Sequence, residues 1–134
     1  MQSRHVSIII PASVEDVYEL AADPRNLPRW AAGLAQSAVE LRGEELVAQS
    51  PMGEVVVRFA PRNGFGVLDH DVTLPSGTVV TNPLRVFGHP EGAEIVFTVR
   101  QIELTDEEFE RDCGMVAADL ERLRELVTRE SSAR

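Results

Sequence analysis

The chain has 134 residues and a formal net charge of −9 at pH 7, from 13 Lys+Arg against 22 Asp+Glu, and hydrophobic residues make up 43% of it. That length predicts one domain, 1–134, with enough buried surface for a core and an internal pocket. The acidic balance argues against nucleic acid or an anionic membrane surface as a partner, because both are bound through clustered Lys and Arg. No apolar run approaches the ~20 residues of a membrane span, and Met1-Gln2-Ser3-Arg4-His5 has no signal-peptide pattern. The expectation is a cytoplasmic domain without membrane insertion. Cys113 is the one cysteine, so neither an internal disulfide nor a thiolate metal site is expected.

In chain order, Val6-Ser7-Ile8-Ile9-Ile10 is a β-branched strand ending at Pro11. Ser13 is an N-cap with Asp16 in the first turn, and Val14, Val17, Tyr18 and Ala21 recur at helical spacing until Asp23-Pro24. A short helical or turn segment from about Asn26 to Ala32 carries Trp30. Turn signals then punctuate the chain at Arg42-Gly43-Glu44, Ser50-Pro51-Met52-Gly53, Arg62-Asn63-Gly64, Pro75-Ser76-Gly77 and His89-Pro90-Glu91-Gly92. The Val-, Phe-, Leu- and Thr-rich stretches between them, roughly 37–41, 45–49, 54–60, 66–74, 78–87 and 93–103, predict an antiparallel meander. Asn63-Gly64 is the strongest turn signal and predicts a type I′ hairpin. The clearest helix follows over 106–129, with Thr105 and Glu108 as a capping box. Phe109, Cys113, Val116, Leu120, Leu123 and Val127 give it one apolar face.

This order predicts an α+β fold: a seven-stranded, curved antiparallel sheet wrapped around a long C-terminal helix, with two short helices after the first strand. One helix cannot fill the concave side of such a sheet, so a cavity for a small apolar molecule is expected between them.

The layout and residues resemble the START-like, or SRPBCC, superfamily with its helix-grip fold, and within it the polyketide cyclase/dehydrase-type group. The resemblance spans nearly the whole chain. Its carriers are Ile10-Pro11-Ala12-Ser13-Val14-Glu15-Asp16-Val17-Tyr18, then Leu27-Pro28-Arg29-Trp30, and the closing helix with Asp119-Leu120-Glu121-Arg122-Leu123. Family members include lipid and hormone carriers and aromatase/cyclases. The resemblance implies residues near Trp30 and the hairpin tips at the cavity mouth.

Strand alternation sorts the candidate site residues. Leu68, His70, Val72 and Leu74 share the inner face, so Asp69 and Asp71 project outward and cannot orient His70. His70 has two readings: a structural or ligand-positioning histidine, or a proton shuttle. Val80, Asn82, Leu84 and Val86 are expected to face inward, with Asn82 able to hold a carbonyl or an enolate oxygen. Pro83 puts that facing at risk, because a bulge there would slip the alternation. Trp30, Met52, Phe59, Phe87, Met115 and Val116 complete the expected apolar lining. His5, His70, His89 and Cys113 have no metal-ligand spacing, and no nucleotide fingerprint is present, so no metal or cofactor is expected.

Three functions compete. The first is binding of a small hydrophobic, ring-containing or polyketide-like ligand. The second is a polyketide cyclase/dehydratase using His70 and Asn82 for aldol closure or loss of water. The third is a collapsed cavity in a protein acting through homodimerisation.

Overall fold

The computed structural model describes residues 1–32, 38–50 and 53–132. Strand β1 (Ser3–Ile10) alternates exposed and covered side chains and ends at Pro11. Helix α1 (Val14–Ala22) starts where the Ser13 hydroxyl accepts the Asp16 N–H at 3.1 Å, as the sequence predicts. Asp23 closes α1 and caps a single 3-10 turn, Pro24–Asn26, which runs into the short helix α2 (Leu27–Trp30).

The strands that follow are β2 (Ala38–Arg42), β3 (Glu45–Ser50), β4 (Gly53–Phe59), β5 (His70–Thr73), β6 (Val79–Asn82), β7 (Leu84–His89) and β8 (Gly92–Arg100). All pairings are antiparallel, in the orders β1-β8-β7 and β2-β3-β4-β5-β6. Among the described residues, eight strands in two sheets therefore replace the seven predicted, and the cause is local. The segment predicted as one strand, 78–87, divides at Pro83, which has no N–H to give the ladder.

The division does not disturb the register. His70 pairs with Asn82, Leu68 N–H donates to Leu84 O at 2.8 Å, and Val67 bridges Arg85, all in one continuous sequence of partners. Opposite Pro83 sits Asp69, whose Oδ1 accepts the Leu84 N–H at 2.9 Å. That donor is thereby diverted from the Leu68 carbonyl, which instead accepts a ring N–H from His70 at 3.1 Å. Alternation survives across the seam: Leu84 and Val86 are buried, Asn82 is half-buried, and Thr81, Arg85 and Phe87 are exposed.

The predicted type I′ turn at Asn63-Gly64 does not form, since neither residue has a positive φ. The Asn63 side chain organises the loop instead. Its Oδ1 accepts the N–H groups of Phe65 (2.9 Å) and Val67 (3.1 Å), and its Nδ2 donates to Pro61 O (3.0 Å) and Val67 O (2.9 Å). The left-handed residue is Gly66 (φ 72), where a Cβ would lie 2.0 Å from Val86 O.

Helix α3 (Asp106–Ser132) begins with the predicted capping box: Glu108 N–H donates to Thr105 Oγ1 at 3.1 Å and Thr105 N–H to Glu108 Oε1 at 2.8 Å. Its apolar face is buried at Phe109, Cys113, Leu120, Leu123 and Val127, with Val116 half-buried. The main core joins Leu120, Leu123, Leu126 and Val127 to Val17, Leu20, Leu27 and Trp30 of the short helices and to Ile10, Leu46, Val57, Leu68 and Ile95 of the sheet.

Candidate functional site

A cavity of about 520 Å³ lies between the concave face of the sheet and the first half of α3. Of its sixteen described lining residues, twelve are apolar, including Ala48, Val55, Val72, Leu74, Val80, Phe97, Val99, Met115 and Val116. A space of this size and character suits a small apolar molecule. Its polar members are Asn82, Arg100, Asp112 and Asp119. A second, smaller cavity of about 280 Å³ lies at the opposite end of β4, lined by Tyr18, Leu41, Phe59, Pro61 and Leu68 among others.

Val72, Asn82, Met115 and Val116 line the larger cavity, where the sequence puts ligand-binding residues. Asn82 faces inward despite Pro83, because the seam diverts hydrogen bonds without adding a residue to either strand. Phe59 and Leu68 also face inward but line the smaller cavity.

Other positions depart from expectation. Trp30, expected at the mouth, is 2% exposed inside the core, because α2 turns it under the sheet rather than outward. Its neighbour Ala31 is the residue that reaches the cavity wall. Phe87, expected in the lining, is 46% exposed on the convex face, since it is one residue out of phase with Val86. Met52 lies outside the described residues.

His70 faces inward with Leu68, as alternation predicts, and is 7% exposed. It lies between the two cavities and lines neither. Its ring is 5.0 Å from the Phe59 ring and 5.6 Å from that of Phe97, centroid to centroid. A carbonyl oxygen only accepts, so the contact with Leu68 O puts the proton of the neutral ring on Nδ1 and leaves the lone pair on Nε2. Burial pushes the imidazole pKa below its ordinary value, outweighing the opposing influences of the Leu68 carbonyl and of Asp69 and Asp71. Directly across the ladder from His70 is Asn82, so these two inward polar groups are neighbours. Asp69 points the other way, as alternation predicts, and pairs with Arg85 at 3.0 Å.

Asp112 and Asp119 were not legible as cavity residues. They flank Met115 and Val116 at helical spacing, so the signal existed in the period of α3. An aspartate on the border of an apolar stripe reads as solvated unless the opposite wall is known. Asp119 is engaged: it accepts the Ala32 N–H at 3.1 Å and pairs with Arg122. Among the described residues, no cluster of three or more His, Cys, Asp or Glu is arranged to hold a metal ion, and no helix is long and apolar enough to cross a membrane.

The fold is shared with several solved structures at low identity. DynU16, a protein in the dynemicin biosynthetic locus, superposes with a TM-score of 0.71 at 15% identity, covering 96% of this chain and 48% of that one. The chain thus spans about half the length of DynU16. XoxI from Bacillus cereus gives 0.71 at 18% identity over 96% of both chains. Ara h 8.0201 gives 0.65 at 9% identity over 96% of this chain and 98% of that one. No curated protein matches the sequence. A family model described as polyketide cyclase / dehydrase and lipid transport matches residues 1–128, so the chain belongs to that family.

Proposed function

We propose that the protein binds a small hydrophobic molecule, ring-containing or polyketide-like, in the larger cavity. The observation that carries this reading is the cavity itself: about 520 Å³ with predominantly apolar walls and the Asn82 amide set into them. Asn82 makes no side-chain hydrogen bond to a described residue, so it is free to orient a ligand carbonyl or hydroxyl. Nile red, a neutral apolar dye, should bind with enhanced fluorescence. Val80→Trp, which pushes an indole into the space, should abolish that binding while leaving the fold intact by circular dichroism. Equal binding by both proteins would sink this reading.

A second reading, cyclase/dehydratase chemistry, is favoured by one specific arrangement. Burial favours the neutral His70 ring, whose lone pair is on Nε2, and Asn82 is its partner across the ladder. His70 lines neither cavity, so this reading requires a ligand that reaches past the wall at Phe97 and Asn82; Nε2 would then accept a proton from the carbon between two ketones, and the Asn82 amide would steady the resulting enolate oxygen. His70→Gln keeps the volume and the hydrogen bonding while removing that base. A binding protein should retain affinity within about tenfold, whereas a catalyst should lose roughly 10²–10⁴ in turnover.

A further inference from the structure

The larger cavity has a charge asymmetry that its apolar walls conceal. Four described polar residues border it, but they do not all point into it. Arg100 is opposite Ser3 in the β1–β8 ladder, and its guanidinium donates to Ser3 Oγ at 2.9 Å on the convex face. The exposed alternates of β1, including Ser3, mark that face as the outer one. The cation therefore stands outside while its backbone borders the space. On the helix side, Asp119 has its charge balanced by Arg122 and its oxygen held by the Ala32 N–H. Asp112 stands two turns before it, about 10 Å along the axis. Its carboxyl has no hydrogen bond or ion pair with a described residue. Loss of water and the nearby Glu108 raise its pKa above that of an ordinary aspartate.

We propose that Asp112 sets the class of ligand: the cavity takes molecules with an apolar body and a cationic, hydrogen-bond-donating end, and turns away those ending in a carboxylate. The inference rests on the larger cavity being the ligand site. An ammonium entering beside Asp112 supplies the counter-charge that the fold withholds, and the ligand's apolar body shields the pair from water. Asp112 is exposed at the cavity's rim, and a carboxylate in the same place would set like charges together there, against a chain already at −9. Asn82 remains as a neutral partner farther along the wall, and so does not discriminate by charge.

The test uses three competitors with the same apolar body, decylamine, decanol and decanoate, each displacing Nile red from the full-length protein at pH 7. The amine should compete about tenfold more strongly than the carboxylate, with the alcohol between them. Asp112→Asn, compared as the ratio of the two competitors on the same protein, should bring the amine and the carboxylate to within about twofold of each other. Glu91→Gln, which removes one negative charge from the β7–β8 turn, controls for net charge and should keep the tenfold preference. If Nile red binds and Val80→Trp blocks it, yet decanoate competes as well as decylamine, the cavity reading stands and this inference is overturned. A preference that survives in Asp112→Asn assigns discrimination to overall charge and overturns it equally. Failure of Nile red to bind the wild-type protein defeats both readings together.

Discussion

The two halves of α3 have the same kind of sequence and opposite surroundings. From Leu120 to Val127 the apolar face meets α1, α2 and the sheet, and Leu120, Leu123 and Val127 are essentially inaccessible. From Asp112 to Asp119 the same stripe, through Met115 and Val116, borders open space. Phe109 and Cys113, near the start, close over Val99 in a small cluster of their own. The helix does not decide where the cavity lies. The short helices do, because Val17, Leu20, Leu27 and Trp30 fill the concave side at one end only. The cavity is the part of the sheet's hollow that the two short helices leave unfilled.

That contrast is most directly tested by truncating each half. Leu123→Ala, at a fully buried position, should lower stability by about 2–5 kcal/mol in urea denaturation. A loss below about half a kcal/mol would mean the sealed half is not packed as described. Gly66→Ala comes next, because this position anchors the seam between the halves of the sheet. It combines a left-handed backbone with a Cβ placed 2.0 Å from Val86 O, and should cost at least ~2 kcal/mol. A neutral outcome would show that the 60–69 loop re-forms without the Gly66–Val86 approach.

A smaller effect, graded with pH, belongs to His70. Its folded pKa lies below the unfolded value of 6.5, so below that pH the unfolded chain binds the proton more readily than the native one. Stability should therefore be constant above about pH 6.5 from this group and fall as pH drops toward the folded pKa, by at most ~1.4 kcal/mol per unit. His70→Gln should flatten the profile between pH 6.5 and the onset of carboxylate titration. An identical profile in the variant would contradict burial of a neutral imidazole. The smallest effect is expected at Val116→Ala, which enlarges an existing void and should cost less than about 1 kcal/mol. A loss matching that of Leu123→Ala would erase the distinction between the two halves.

What the sequence determined by itself was local and periodic. The Ser13 cap, the Thr105–Glu108 box and the α3 stripe each depend on residues within a few positions of one another, so the chemistry that forms them is written contiguously. The alternation that turns His70 and Asn82 inward is of the same kind, and it held through Pro83 because register is shared along the whole ladder. The family resemblance, read on Ile10–Tyr18, Leu27–Trp30 and the closing helix, is matched by a family model over residues 1–128. Tertiary structure alone decided the rest. Whether Trp30 lines a mouth or fills a core depends on how α2 docks beneath strands distant in sequence, and no local pattern encodes that angle. The Asn63 loop followed its side-chain hydrogen bonds and the fit of Gly66 against Val86 in place of the hairpin its dipeptide favours. Asp112 became a cavity residue because Val72, Val80 and Asn82 stand across an unfilled space from it, and an unfilled space leaves no residue in the sequence to announce it.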